Sequence, residues 1–142
     1  MNRRVVLDTS VLVSAALRVG SLPHQALRQA LAAYDLCTSP ETLDELERVL
    51  GRRKFDRYLD RPTRVGFVAL IRRSAYLFAV STADLANVTP PCRNPNDNQF
   101  LALAMVAEAS ILVSSDDDLL VLHPWHGIAV LTPAQFLSTA IE

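Results

Sequence analysis

Short apolar runs separated by helix-patterned stretches narrow the fold of this chain more than any other feature. Residues 4–8 carry Val5, Val6 and Leu7 and stop at Asp8; further runs lie at 36–38, 76–80, 111–113 and 128–131. Runs this short, rich in β-branched and apolar residues and bounded by polar residues, read as buried strands. The intervening segments carry the helical period. Residues 11–17 form one such segment, stopped by Gly20 and Pro23, and residues 23–33 place Ala26, Leu27, Ala30 and Leu31 on one stripe. Ser39-Pro40-Glu41 is a helix start, with Ser39 as N-cap and Pro40 in the first turn, and Gly51 closes that helix after Leu43, Leu46, Val49 and Leu50. Asn94-Pro95 opens another, with Phe100, Leu101, Ala104 and Met105 as its stripe, and Thr132-Pro133 caps a last one. The three prolines at 90, 91 and 95 make 85–96 a loop. Strands alternating with helices predict a three-layer α/β/α fold around a central parallel sheet of about five strands.

A chain of 142 residues, half of them hydrophobic, fits a single domain over 1–142 with a full core. The apolar stretch before Asp8 is too short for a signal peptide, and no run approaches the roughly 20 apolar residues of a membrane span. The expectation is a cytoplasmic protein with no membrane partner. Cys37 and Cys92 stand at no metal-binding or redox spacing, so they are expected as buried free thiols. Net charge is −1, but it is unevenly spread. From Arg48 to Arg73 nine basic residues face only Asp56 and Asp60, and the rest of the chain is acidic. Read as two helices broken near 60–62, this segment is a basic hairpin over about 48–75, either a phosphate-tracking surface or a solvated face.

Open parallel sheets bind ligands beyond the carboxyl ends of their strands. Asp8 ends the first run and Asp116 follows the fourth. Carboxylates gathered there repel one another, and a hard cation with oxygen ligands relieves them, so magnesium or manganese is implied rather than zinc. Each acid also has a plain structural use. Asp8 suits a helix N-cap, Asp97 stands at the third position of a helix where it would favour the macrodipole, and Asp116, Asp117 and Asp118 could form a solvated turn. Asp97 nevertheless precedes Phe100 and Leu101 by three and four residues, which points it along the buried stripe. On the helix over 40–50, Glu41 and Asp44 lie opposite the apolar side, whereas Glu45 and Glu47 both flank it. Periodicity leaves those two unresolved.

Six segments in order carry a resemblance that spans nearly the whole chain. They are VVLDTSVLVSAAL (5–17), TSPETLDELERVL (38–50), RRKF (52–55), CRNPNDNQFLALA (92–104), LVSSDDDLL (112–120) and VLTPAQFL (130–137). Together they resemble the PIN domain, and within it the VapC-like toxins of bacterial toxin-antitoxin pairs. The resemblance implies catalytic acids at Asp8, Glu45, Asp97 and Asp116, with Asp8, Asp97, Asp116 and Asp118 as metal ligands for one or two magnesium or manganese ions. It selects Glu45 over Glu47. Ser10 and Ser114 fall on small polar positions that orient carboxylates or water, and Arg52, Arg53, Lys54 and Arg57 would hold RNA. Asn94 and Asn96 depart from the pattern, since relatives carry acids there. The implied activity is metal-dependent RNA hydrolysis, with a cognate antitoxin as partner and a homodimer as assembly.

Two other acidic α/β classes fit poorly. A haloacid-dehalogenase-type phosphotransferase would want an aspartate where Ser10 stands, and a receiver domain would want a lysine after a late strand, whereas the only lysine is Lys54. A catalytically silent PIN module serving as an RNA- or protein-binding adaptor is the remaining alternative.

Overall fold

The computed structural model describes residues 2–139. Strands β1 (Arg4–Leu7), β2 (Asp35–Thr38), β3 (Tyr76–Leu77), β4 (Ile111–Val113) and β5 (Ala129–Leu131) form one parallel sheet in the order β3-β2-β1-β4-β5. Val5 pairs with Leu36 on one side and Ile111 on the other, which places β1 beside both β2 and β4. The helices are α1 (Thr9–Leu17), α2 (Leu22–Ala33), α3 (Pro40–Leu50), α4 (Arg61–Ser74), α5 (Thr82–Ala86), α6 (Asn98–Val106), α7 (Asp117–Leu120) and α8 (Pro133–Leu137).

Alternation along the strands sorts two cores. Val5, Leu7, Leu36, Ile111 and Val113 pack with residues of α1, α2, α3, α4 and α8. Val6, Cys37, Leu112 and Val130 pack on the other face with α6 and with Leu119 of α7. Both faces of the sheet are thus covered, as an all-parallel sheet requires. Val5 and Val6 are completely buried, and burial of each such side chain contributes roughly 1.5–3 kcal/mol. Cys37 and Cys92 are buried and free, and burial pushes the Cys37 thiol up to about 11, so it stays protonated and inert. Among the described residues, no helix is long and apolar enough to cross a membrane.

The structure departs from the sequence reading in four places. The basic segment is not a pair of helices: after α3 the chain makes only a 3-10 turn at Arg53–Phe55 before α4. Arg53 and Arg57 would be like charges one turn apart in a helix, and the backbone carbonyls there have another donor. The guanidinium of Arg64, only 2% exposed, donates to the carbonyls of Leu50 (2.8 Å), Arg52 (3.2 Å) and Leu59 (2.9 Å) and pairs with Asp56. A residue counted with the phosphate-facing cations is therefore an internal clamp. The run at 76–80 pairs only over Tyr76–Leu77, at the sheet edge, because the chain leaves β2 once the Phe78 amide has bonded the Thr38 carbonyl. The short α5 overlaps the start of the expected loop; Ser81 and Asp84 cap it reciprocally. Finally, residues 95–97 form a 3-10 turn, so Asp97 immediately precedes α6 instead of occupying its third position, and it makes no capping hydrogen bond.

Candidate active site

The strand order reverses between β1 and β4, and their carboxyl ends open one crevice. Asp8 continues β1 and starts α1. Its Oδ1 accepts from the Val11 amide (3.0 Å) and the Ser10 hydroxyl (2.9 Å), and its Oδ2 accepts from Ser114 Oγ (2.5 Å). Asp8 is thus an N-cap, yet that role leaves it at the crevice. Burial raises its pKa, and the hydrogen bonds from Ser114, Val11 and Ser10 only oppose that shift. Ser114, completely buried, also accepts from the Asp116 amide at 2.9 Å. One hydroxyl therefore ties the two strand-end acids together. Asp116 caps α7 by accepting from the Asp118 amide at 2.9 Å, so the acidic run is a helix start and not a loose turn.

Asp97 arrives from the opposite helical layer. The loop before it is held by Trp125 Nε1 donating to the Pro90 carbonyl (2.9 Å) and by the Cys92 amide donating to Asn98 Oδ1 (2.7 Å). Oδ2 of Asp97 is buried with no hydrogen-bond partner. Burial first, then the adjacent carboxyl of Asp116, with added repulsion from Asp8 and Glu45, push its pKa up to about 7. A carboxyl so placed is short of compensating positive charge. Glu45, half-buried on α3, accepts from Gln99 Nε2 at 2.5 Å, whereas Glu47 is exposed and stands 3.6 Å from Arg72. The two glutamates that periodicity could not separate have different surroundings.

Asp8, Glu45, Asp97 and Asp116 line one cleft of about 550 Å³, with Arg52 and Lys54 at its rim. Ser10 lines it too, and Ser114 lies beneath it. Asp118 does not line this cleft, nor do Arg53 and Arg57. Asn94 and Asn96 are exposed, the Asn96 amide donating to Asn94 Oδ1, and neither lines the cleft. Gln99 was missed by the sequence reading. Its only signal was a polar residue at the start of an otherwise apolar helix.

Among the described residues no three His, Cys, Asp or Glu side chains are grouped closely enough to enclose a metal ion. The donors nevertheless suit magnesium or manganese: Asp97 offers a buried, unpartnered oxygen beside Asp116, all donors are oxygens, and magnesium commonly uses one or two carboxylates with water and substrate phosphate completing its shell.

The uncharacterised protein MJ1680 of Methanocaldococcus jannaschii is 28% identical to this chain over 124 residues, covering 84% of this chain and 75% of that one. Three crystal structures share the fold. PAE2754 of Pyrobaculum aerophilum matches with a TM-score of 0.59 at 13% identity, over 95% of this chain and 88% of that one. VapC20 of Mycobacterium tuberculosis, described as a sarcin-ricin loop cleaving toxin, matches with a TM-score of 0.57 at 14% identity, over 88% and 98%. VapBC2 of Rickettsia felis, bound to a DNA fragment from their promoter, matches with a TM-score of 0.60 at 12% identity, over 91% and 98%. At such identities these structures bear on the fold alone. The family model of the PIN domain matches residues 4–118, most of the sheet and every acid of the cleft, and the chain belongs to that family.

Proposed function

We propose that this protein is a magnesium- or manganese-dependent endoribonuclease, acting in the cytoplasm as the toxin of a toxin-antitoxin pair. The observation that carries the reading is the buried, unpartnered Oδ2 of Asp97 within a cleft shared with three more carboxylates. Asp97 and Asp116 would hold the ion, with Asp8 completing the set and Asp118 reaching it only by turning inward. When bound, one or two such ions supply Lewis acidity, offsetting the charge of the carboxylates and the phosphate and making water more acidic. Ser10 and Ser114 fix the Asp8 carboxylate, so it needs no reorganisation. Glu45, oriented by Gln99, accepts the proton of the attacking water. Arg52 and Lys54 hold the flanking phosphates without reading sequence. The toxin role and a cognate antitoxin that occludes the cleft are carried over from the resemblance to VapC-like toxins, whose fold VapC20 and VapBC2 share, and homodimerisation from that resemblance alone.

The test is cleavage of labelled RNA. Cutting is expected with magnesium or manganese and none in excess EDTA. Glu45→Gln should slow it about 10²–10⁴-fold, the usual worth of a general base, while Glu47→Gln stays within about twofold of wild type. Equal cleavage in EDTA would overturn the metal mechanism. The adaptor reading draws on Asn94 and Asn96, which stand where the resemblance implies acids. It prevails if the protein binds RNA yet cuts none under any divalent ion.

A further inference from the structure

A second cleft, of about 370 Å³, opens beside the acidic one and is lined by Leu17, Arg18, Lys54, Phe55, Arg57 and Tyr58. Lys54 and Phe55 line both, so the two clefts adjoin. Three cations and no acid face the second cleft, since the intervening Asp56 is paired with Arg64. Its exposed aromatic residue is Tyr58, 64% open to solvent, whereas Phe55 is half-buried. The Arg57 guanidinium stands 5.4 Å from the Tyr58 ring centroid and Lys54 Nζ 5.1 Å from that of Phe55.

Cations alone would attract any phosphate backbone, single- or double-stranded. An exposed aromatic face among them adds something a duplex cannot use, because its base faces are already stacked. Resting on the nuclease reading of the neighbouring cleft, we propose that this second cleft is a base-stacking subsite for single-stranded nucleic acid. Tyr58 receives an unpaired base next to the scissile phosphate, and Arg18, Lys54 and Arg57 hold the adjoining backbone. Such a subsite has little dependence on base identity, because every base offers a stacking face. An acidic peptide segment would also be drawn to the three cations, but it has no planar ring system for Tyr58 to receive.

The experiment measures binding of a fluorescently labelled single-stranded oligoribonucleotide, the same sequence as a duplex, and a poly-glutamate peptide, in EDTA so that nothing is cut. Wild-type protein binds the single strand more tightly than the duplex. Tyr58→Ala weakens single-strand binding about tenfold or more, leaves duplex binding unchanged, and is corrected by Tyr58→Phe but not by Tyr58→Leu. Where cleavage is seen with magnesium, Tyr58→Ala raises KM and leaves kcat within about twofold. No single-strand binding, equal binding of strand and duplex, tighter binding of the peptide, or an unaltered Tyr58→Ala each overturns the subsite. Because binding is read without metal, a protein that stacks single strands through Tyr58 but never cuts RNA refutes the nuclease reading and leaves the subsite standing.

Discussion

Asp97→Asn is expected to abolish RNA cleavage and at the same time to make the metal-free protein more stable at pH 8. Asn keeps the shape of the side chain but carries no charge, and the loss of a carboxylate that holds the ion should cost about 10³-fold in rate. The stability gain follows from the sign of the shift. In the unfolded chain this carboxyl ionises near its ordinary value of 3.8, whereas in the fold burial and the neighbouring Asp116 push it up to about 7. Between those values the folded state binds the extra proton, so stability falls as pH rises from about 4 to about 7 and the full penalty is present above that. The variant lacks the penalty. In excess EDTA, melting curves should therefore show wild type losing stability from pH 5 to pH 8 more steeply than Asp97→Asn, with the two converging towards pH 4. Adding magnesium at pH 8 should raise the melting temperature of wild type and leave that of the variant nearly unchanged, because only a ligand with higher affinity for the folded state stabilises it. A variant less stable than wild type at pH 8 without metal would show that Asp97 is not a strained carboxylate, and the charge argument for the site would fail with it.

The sheet and two of the acids were legible because the information is local. A three-residue apolar run specifies a buried strand, an acid ends the first run and another follows the fourth after two serines, and parallel topology then brings Asp8 and Asp116 to adjacent strand ends. Asp97 was half-legible: its spacing to Phe100 and Leu101 gave a direction, but the 3-10 turn that precedes α6 gave no periodic signal. Glu45 and Glu47 both flank the apolar side of α3, and what distinguishes them is Gln99 on one and Arg72 on the other, residues far away in the chain. The capping box of α5, Ser81 with Asp84, was present in the sequence and went unread beside the prolines that follow. Least legible was the basic run. A buried arginine and an exposed one are the same letter, and only the tertiary contacts of Arg64 separate it from its neighbours.

Those contacts predict the largest stability loss outside the apolar core. Arg64 bridges the end of α3 to the turn over 52–59, taking three backbone carbonyls and Asp56 at once. Arg64→Ala removes every donor and leaves carbonyls that a buried side chain had satisfied, together with the space it filled. Loss of one member of such a network costs about 3 kcal/mol or more, or about 10 °C in melting temperature for a chain of this length. Lysine does not substitute, because one ammonium cannot reach carbonyls that a planar fork spans. Arg61→Ala, on an exposed position one turn earlier in α4, should stay within about 0.5 kcal/mol, and the pair measured side by side by urea denaturation separates a structural arginine from a surface cation. Equal stabilities for the two variants would mean the clamp contributes nothing. If Arg64→Ala is destabilised as expected, its RNA affinity should also drop, although Arg64 lines neither the acidic cleft nor the one around Tyr58. The turn it clamps carries Arg52, Lys54, Arg57 and Tyr58, and a loosened turn must be ordered again each time a strand binds.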